Sequence, residues 1–568
     1  AQTYTLKVDK LPPVATTFAV DPADATIYLT DDISGARIYP ETDGSYILNT
    51  DGSYTYVISK TGYVAKTAQF VAGEENKTIT AQLEKASASD LKDISTEGDW
   101  LQFRADNNNN GVVNVKTPIK AEDAVLEWAN KIGEGFDSGA TGCPIIVGGY
   151  LYTYAGDAIH KVNKETGEVV KSGKMAGSSS FAINSPTYGN GMIFVALSNG
   201  RVQAFDAENL TSLWVYKDAL GGQPNCPIAY SDGYIYTGFW NSETKQANFV
   251  CLSVTDEDTT NTTEAKLATW TYAHNGFYWA GAYACEDYVL VGTDDGSDGY
   301  TTGTASILSL HPTTGVLLDE QKLTNVGDQR SSIMYDAATD AYYFTTKGGD
   351  FYQIKVEANG TFTEDSLRRL HLDNGAYDMR TPPMSTSTPV IYNGRAYIGV
   401  SGISQFGNFS GHNMTVIDLE TFSIAYTVPT MGYPQTSGLL TTAYENTDGY
   451  VYVYFIDNAS PGMIRVIRDK KGMDEVDHTY TTMTTYSVNG VKKTIETGYV
   501  LFTPYGDEEQ YAICSPISDA EGNLYFKNDS ARMMRLSSRM TSLEIVQQPE
   551  KKDYCKGKTF DGTGMKVV

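Results

Sequence analysis

The chain has 568 residues, among them 40 tyrosines and 53 glycines, and its formal net charge is -26 at pH 7. Such an acidic chain repels phosphate backbones, so the charge argues against nucleic-acid binding and against docking on anionic lipid. Tyr and Thr suit pleated sheets, while Gly, Asn and Asp suit the turns between short strands, so we expect an all-β protein. No apolar run approaches the roughly 18 residues that a membrane-spanning helix needs.

Residues 1–86 predict a small β-sandwich that precedes the rest of the chain. Short runs of alternating apolar and polar residues, such as SYTYVIS, are separated by turn signals such as TDGS. The segment GSYTYVISKTGY (52–63) resembles the G-x-Y…GY pattern of PEGA-type bacterial surface domains. That resemblance implies a PEGA-like or Ig-like spacer domain, which a linker over residues 87–99 joins to the next region.

From Trp100 onward, one pattern of four short strands repeats along the chain. A propeller blade needs about 40 residues, so the longer intervals between repeats must contain loop insertions. We expect eight blades over residues 100–540, with seven as the alternative. The repeats begin near Cys143, Ser185, Cys226, Ala284, Ser331, Thr388, Ser437 and Ser515.

The turns within these repeats carry a family resemblance. KVNKETGEVV (161–170) and VIDLETFSIAY (416–426) are similar to the turn element of PQQ-like propeller repeats, and WLQFRADNNNNG (100–111) is similar to their opening. The resemblance implies a quinoprotein- or BamB-type β-propeller. The segment VLEWANKI (125–132) reads as a fourth strand without its first three, so we expect it to complete the last blade and close the ring.

The C-terminal residues follow a different pattern. Residues 542–568 resemble the opening of a bacterial Ig-like domain. The resemblance implies that 541–568 is the truncated start of such a domain, in a fragment of a larger multi-domain protein. We therefore expect an extracellular location on a bacterial cell surface.

Quinoprotein dehydrogenases of this fold resemble one another in an adjacent Cys-Cys pair, a Trp beneath the quinone and a calcium ion held by Glu, Asn and Asp. This sequence has no Cys-Cys dipeptide, and Cys143 and Cys226 are expected two blades apart, too far to bridge. We therefore expect no enzyme and no cofactor: we do not expect PQQ, and calcium is the one ion that the sequence allows. The six histidines show no spacing typical of a zinc site.

The loops that lead into the inner strands are expected to converge at the mouth of the central channel. Polar and aromatic residues on such loops are typical of small-molecule and glycan pockets. The alternative is that these side chains only fill the channel. The candidate ligand-binding residues are Phe136, Asn225, Trp279, Arg330, Gln435 and Tyr511.

Two segments are candidates for calcium binding. TDDGSDGYTTG (293–303) clusters Asp294, Asp295 and Asp298, and its alternative is a solvated loop. DNNNNG (106–111) fits the start of a calcium loop but has Thr117 where the twelfth-position Glu belongs, so an Asx-rich turn is favoured.

These observations predict a monomeric cell-surface binding, adhesion or scaffolding propeller without catalysis. Its partner would be a surface protein, a glycan or a small ligand. The alternative is a PQQ-binding enzyme of the quinoprotein type, or a cofactor-binding protein.

Overall fold

The computed structural model describes residues 11–34, 36–60, 63, 66–85, 91, 94–96, 98–133, 142–179, 185–372, 383–402, 412–488, 491–539, 545–547 and 566–567. Strands dominate these residues, and the helical turns among them are short: α1 (Glu445–Asp448) and a 3₁₀ turn over Gly506–Glu508. None of the described helices has the length and apolar character needed to cross a membrane. The predicted all-β class is confirmed.

The N-terminal strands form the predicted small β-sandwich. One sheet has the order β4-β1-β7 and the other β3-β2-β5-β6, and both contribute to a single hydrophobic core. Alternation along β5 buries Tyr54, Tyr56 and Ile58 in that core. The strands are β1 (Val14–Asp21), β2 (Thr26–Asp31), β3 (Arg37–Ile38), β4 (Tyr46–Leu48), β5 (Ser53–Ser59), β6 (Lys66–Val71) and β7 (Lys77–Gln82).

Two strands, β8 (Val112–Val113) and β9 (Ala124–Lys131), precede the repeats and join sheets built later in the chain. Eight further sheets follow in the part of the chain that the structure describes, each built on antiparallel strands. The first four contain β10 (Ile145–Val147), β11 (Tyr150–Ala155), β12 (Ala158–Asn163) and β13 (Val169–Lys174); β14 (Thr187–Gly189), β15 (Met192–Leu197), β16 (Arg201–Asp206), β17 (Ser212–Lys217) and, later in the chain, β21 (Glu264–Lys266); β18 (Ala229–Ser231), β19 (Tyr234–Gly238), β20 (Ala247–Ser253) and β22 (Trp270–His274); and β23 (Tyr283–Ala284), β24 (Val289–Gly292), β25 (Thr304–Leu310) and β26 (Leu317–Thr324).

The remaining four sheets complete the propeller. They contain β27 (Met334–Asp336), β28 (Ala341–Thr345), β29 (Asp350–Ile354) and β30 (Arg368–His371); β31 (Pro383–Met384), β32 (Val390–Tyr392), β33 (Arg395–Gly402), β34 (Asn413–Asp418) and β35 (Ser423–Pro429); β36 (Leu439–Thr441), β37 (Val451–Ile456), β38 (Ile464–Asp469), β39 (Thr481–Val488), β40 (Val491–Phe502) and β8; and β41 (Ile517–Ser518), β42 (Leu524–Lys527), β43 (Arg532–Ser538) and β9. A last pair joins β44 (Ile545–Gln547) to β45 (Lys566–Val567).

The turns between third and fourth strands follow the chemistry that the sequence predicts. Asn163 Oδ1 accepts hydrogen bonds from the backbone N–H groups of Glu165 (2.8 Å) and Thr166 (3.2 Å), and Gly167 takes a φ of 71°. Asp418 Oδ1 accepts the equivalent bonds in the sixth sheet. An Asx side chain and a residue in the left-handed region fix each turn.

Strand β9, which contains most of the predicted unaccompanied fourth strand (125–132), completes the last sheet, as predicted. Strand β9 pairs antiparallel with β43, from Arg532 opposite Lys131 to Ser538 opposite Ala124. The first and last parts of the propeller are therefore joined by a strand pairing, and β43 is not left as an open edge.

A segment that we call the hub, residues 100–113, runs past the inner strands of one sheet after another. Trp100 exchanges backbone hydrogen bonds with Ile146 of the first sheet, and the carbonyl of Leu101 accepts the N–H of Tyr188 of the second. At its other end, β8 lies parallel to β36 of the seventh sheet.

The asparagines of the hub contact the sheets between these ends. Asn107 Nδ2 donates to the carbonyl of Tyr230, and Asn110 forms a two-way pair with the backbone of Ile391. Asn109 is buried, and its Nδ2 donates to the carbonyls of Ala282 (3.0 Å) and Ile333 (2.9 Å) in two successive sheets. These three side-chain amides therefore tie the sheets together, a role that the interpretation of DNNNNG as a simple Asx-rich turn did not include.

Candidate functional site

The loops before the inner strands surround a cavity, which we call the central cavity. Its outer chamber has a volume of about 490 Å³, and it adjoins a smaller inner chamber that Phe103 of the hub helps to line. Both chambers are lined by Trp279, Thr386, Gln435 and Ile513.

Five of the six predicted ligand-binding residues line this cavity. Trp279, Arg330, Gln435 and Tyr511 line the outer chamber, and Asn225 lines the inner chamber together with Trp279 and Gln435. The sixth, Phe136, lies outside the described residues. The structure thus brings together residues from loops that are far apart in the sequence.

Trp279 has a backbone conformation that a bulky side chain rarely adopts. Its φ is 63°, in the left-handed region, and its backbone N–H donates to the carbonyl of Asn225 at 3.1 Å. Such strain persists only where the surroundings enforce it, and it is frequent at ligand sites. Among the described residues, the buried indole Nε1 of Trp279 has no hydrogen-bond partner.

Asn225 is wholly buried beside Trp279. Its Nδ2 lies 3.5 Å from Gln223 Oε1, whereas its Oδ1 accepts no hydrogen bond within the described part of the chain. A buried polar atom without a partner costs free energy, on the order of 1–3 kcal/mol. The central cavity therefore contains a donor and an acceptor that the described residues leave without a hydrogen-bond partner.

Arg330 forms the charged wall of the outer chamber. Its Nη2 lies 2.8 Å from Asp328, 2.9 Å from Glu243 and 3.0 Å from Asp294. Its guanidinium also lies 4.6 Å from the centre of the Tyr278 ring. Within the described residues, Nη1 makes no hydrogen bond, so this nitrogen is a donor left for a ligand.

Lys347 is the second cation of this wall. Its Nζ lies 3.0 Å from Asp328 and 3.8 Å from Glu243, and it lies 4.0 Å from the centre of the Tyr300 ring. Three carboxylates thus share two cations. We call Arg330, Lys347, Glu243, Asp294 and Asp328 the charged cluster.

Burial and charge shift the pKa values in the charged cluster. Burial, with help from Asp328 and Glu243, raises the pKa of Asp294 to about 8, although the Arg330 guanidinium lowers it. Burial lowers the pKa of Arg330, but Asp294, Asp328 and Glu243 outweigh it, so the pKa lies above its usual value and Arg330 stays charged. Burial likewise raises the pKa of Glu243.

The three carboxylates converge, as the ligands of a metal ion do. Oxygen atoms of Glu243, Asp294 and Asp328 lie within 4.8 Å of one another, which would suit a hard cation. Arg330 Nη2, however, already lies within 3.0 Å of all three. Because the guanidinium takes the position where their charges converge, the arrangement does not fit a bound metal ion.

Of the predicted calcium ligands, only Asp294 belongs to this convergent group. Asp295 Oδ1 instead accepts the backbone N–H of Ser297 at 2.7 Å, and Asp298 Oδ1 accepts three backbone N–H groups of its own loop. These bonds hold the pKa of Asp298 well below its usual value. Both carboxylates organise the loop, and the structure does not bring the three aspartates together.

The site has members that sequence reasoning missed. Glu243 and Asp328 lie outside the candidates, because nothing in their local sequence shows that loops of the third and fifth sheets meet at Asp294. Lys347, Tyr278 and Asp529, which also line the outer chamber, were missed for the same reason.

Comparison with known proteins identifies the repeats. A PQQ-repeat family model, described as outer membrane protein assembly factor BamB, matches residues 116–242. No curated protein sequence matches the chain. The predicted resemblance to PQQ-type, BamB-like repeats is thus confirmed, whereas the PEGA-like and Ig-like assignments stay predictions.

Solved structures share the fold at low sequence identity. Quinohaemoprotein alcohol dehydrogenase from Comamonas testosteroni matches with a TM-score of 0.54 and 13% identity, over 82% of this chain and 84% of that one. The dehydrogenase ADHIIG from Pseudomonas putida HK5 matches with a TM-score of 0.52 and 11% identity, over 81% and 84%. BamB from Moraxella catarrhalis gives a TM-score of 0.44 and 11% identity, over 73% and 99%. The β-propeller class is confirmed, and the blade number stays a prediction.

These comparisons correct the main functional prediction. A cell-surface binding, adhesion or scaffolding propeller is wrong as the leading interpretation, because the structures matched above a TM-score of 0.5 are quinohaemoprotein dehydrogenases. The prediction rested on the flanking sandwich domains and on missing catalytic motifs, chiefly the Cys-Cys dipeptide, and neither feature defines what a cavity binds. These structures agree better with the alternative, a PQQ-binding enzyme of the quinoprotein type or a cofactor-binding protein.

Proposed function

We propose that the protein binds a small, planar, oxygen-bearing molecule of the quinone class in the central cavity. The observation that carries this proposal is the pair of unsatisfied buried atoms, Trp279 Nε1 and Asn225 Oδ1, in residues that line one cavity. The backbone strain at Trp279 supports it, because strain of this kind is retained where it has a use.

The chemistry of the lining residues suits such a ligand. Trp279 supplies an aromatic ring and an unpaired N–H donor, and Arg330, which also lines the outer chamber, supplies a charged guanidinium. Donors of this kind suit the carbonyl and carboxylate oxygens of a quinone such as PQQ. Asn225 Oδ1 can accept a ring N–H or a hydroxyl of the ligand.

The charged cluster would fix the orientation of the ligand. Asp294, Asp328 and Glu243 hold the Arg330 guanidinium through Nη2, so the guanidinium cannot move without breaking these contacts. When bound, an ortho-quinone supplies two-electron redox chemistry of its own. Whether the protein uses such chemistry is a separate question, and the expectation that it is not an enzyme stays a prediction.

We also propose that the protein works outside the cytoplasm, as a monomer without nucleic-acid partners. The matched family model carries the name of an outer-membrane assembly factor, and the charge of -26 disfavours nucleic acid. A bacterial cell-surface location, with PEGA-like and Ig-like flanking domains, is the more specific form of this proposal, and it rests on the sequence patterns of residues 52–63 and 542–568.

Calorimetric titration with PQQ tests the proposed function. We expect saturable binding by the wild-type protein and an affinity about 5- to 10-fold lower for Trp279→Phe, which keeps an aromatic ring but removes the N–H donor. Trp128→Phe is the matched control, because Trp128 Nε1 donates to the carbonyl of Lys164, in the turn between β12 and β13, and its loss should leave the affinity unchanged. Absence of binding at a large excess of PQQ, or equal loss in both variants, contradicts the proposal.

A further inference from the structure

Two cysteines from opposite ends of the propeller lie against each other. Cys143 precedes β10 of the first sheet, and Cys514 precedes β41 of the last sheet. The backbone N–H of Ser515, which follows Cys514, donates to Cys143 Sγ at 3.0 Å across 372 residues of sequence. The pair therefore lies where the first and last sheets meet.

The two thiols are in direct contact inside the protein. Both side chains are buried, with exposed fractions of 1% for Cys143 and 0% for Cys514. The thiols are hydrogen-bonded to each other. They also belong to the hydrophobic core that joins the first, seventh and last sheets. Both sulfurs also contact Ser515: Cys514 Sγ donates to its carbonyl at 3.3 Å, and its N–H donates to Cys143 Sγ at 3.0 Å. A disulfide would hold the two sulfurs about 2.05 Å apart.

A buried cation lies beside the pair. Lys527 is fully buried, and its Nζ donates to Thr153 Oγ1 at 3.0 Å and to the carbonyl of Tyr154 at 3.2 Å. Together with the hydrogen bonds from Cys514 and Ser515, the charges of Arg104 and Lys527 lower the pKa of the Cys143 thiol against the effect of burial. Two buried cations, Arg104 and Lys527, therefore act on the Cys143 sulfur in the folded protein.

We infer that Cys143 and Cys514 form a disulfide that joins the first sheet of the propeller to the last. This inference is independent of the proposed ligand. Cys143 and Cys226 are expected to lie too far apart to form a disulfide. That distance does not affect the pair Cys143 and Cys514, which meet where the first and last sheets adjoin. The bond would reinforce, by a covalent link, the closure that the β9–β43 pairing makes by hydrogen bonds.

The reaction is a thiol–disulfide exchange with a disulfide oxidant. The Cys143 thiolate attacks one sulfur of the oxidant and releases its other sulfur as a thiolate. The Cys514 thiolate then attacks Cys143 Sγ and releases the second sulfur of the oxidant. The two cysteines lose two protons and two electrons, and the oxidant becomes two thiols. Because both thiols are buried in the folded protein, the exchange belongs to folding, before the first and last sheets close.

Differential alkylation of the complete chain tests this inference. The protein is refolded with oxidised glutathione, unfolded in urea without reductant, treated with N-ethylmaleimide and mapped by mass spectrometry. We expect a Cys143–Cys514 disulfide peptide and no label on either residue, and full label on both after prior reduction. Full labelling of both without reduction overturns the inference, as does a different partner for Cys143.

Thermal unfolding gives a second readout. The oxidised wild-type protein should melt about 3–8 °C above the reduced protein, because the bond closes a long loop in the unfolded chain. Cys251→Ala is the matched control: Cys251 is as buried but hydrogen-bonds to Tyr236 and Thr269, so this variant should keep the redox difference, and Cys514→Ala should lose it. If Cys514→Ala keeps the difference, the inference is wrong; if that variant does not fold, the wild-type alkylation decides.

Discussion

Arg330 and Asp294 face each other through two contacts in the wall of the central cavity, from Nε to Oδ1 at 3.3 Å and from Nη2 to Oδ2 at 3.0 Å. Trp240 Nε1 donates to the same Oδ2 at 2.7 Å. Asp294 therefore has three donors around a fully buried carboxylate, and Arg330 is fixed in one orientation. Because Arg330 also lines the outer chamber, the contacts that stabilise this buried pair also fix the wall of the cavity.

Removing the charge of Arg330 should destabilise the protein severely. In Arg330→Met, three buried or half-buried carboxylates lose a shared cation, which should cost about 3–5 kcal/mol in the free energy of unfolding. Arg369→Met is the control: Arg369 lies 3.0 Å from Asp350 but is 53% exposed, so its loss should cost less than about 1 kcal/mol. Urea unfolding followed by tryptophan fluorescence measures both. If both variants lose the same free energy of unfolding, the buried charged cluster contributes no more to stability than an exposed ion pair.

Asp294 should make stability depend on pH. Its pKa in the folded protein is about 8, above the ordinary value of 3.8, so the folded state holds the proton more tightly than the unfolded state. This contribution is complete below pH 4 and is lost as the pH rises towards 8. We therefore expect the urea midpoint of the wild-type protein to fall between pH 5 and pH 8, and Asp294→Asn to show less than half of that fall. If the urea midpoint falls equally in the wild-type protein and in Asp294→Asn, the raised pKa of Asp294 is not its cause.

Asp529 should make ligand binding depend on pH over a lower range. It lines the outer chamber, and burial raises its pKa to about 6. As the pH rises from 5 to 7, the side chain becomes negative beside the site of a carboxylate-bearing ligand. The affinity for PQQ should then fall roughly 3- to 10-fold. Titrations of Asp529→Asn at both pH values should show a smaller change, and a change as large as in the wild-type protein would assign the effect to another group.

Asn109 should be the most sensitive asparagine of the hub. Its φ of 55° suits glycine, so Asn109→Gly isolates the loss of the amide that serves the carbonyls of Ala282 and Ile333. We expect a cost of about 2–4 kcal/mol in the free energy of unfolding. Asn108→Gly, at the neighbouring exposed position, should cost less than about 1 kcal/mol, and urea unfolding compares the two. The hub has no special role if both variants unfold alike.

The sequence predicts the local parts of this fold well. Asn163 and Gly167 define a turn by their own chemistry, and the strand around Trp128 lacks neighbours nearby, so its pairing with the last sheet can be inferred. These features depend on spacing along the chain or on one missing partner. Trp279 and Arg330 could be proposed for the cavity because each lies in the loop that leads into the inner strand of its repeat.

The contacts between distant repeats could not be predicted in the same way. The meeting of Glu243, Asp294 and Asp328 depends on how far each loop reaches over the channel, which no local pattern encodes. The partner of Cys143 is Cys514 and not Cys226 because the ring closes the first sheet onto the last. The same closure lets successive asparagines of the hub contact successive sheets.

The structure of the protein soaked with PQQ tests the central claim most directly. The account predicts a planar ligand in the outer chamber, against Trp279, with one of its oxygens within hydrogen-bonding distance of Trp279 Nε1 and another near Arg330 Nη1. An empty central cavity at saturating PQQ, or a ligand found only outside the chamber lined by these two residues, would contradict it.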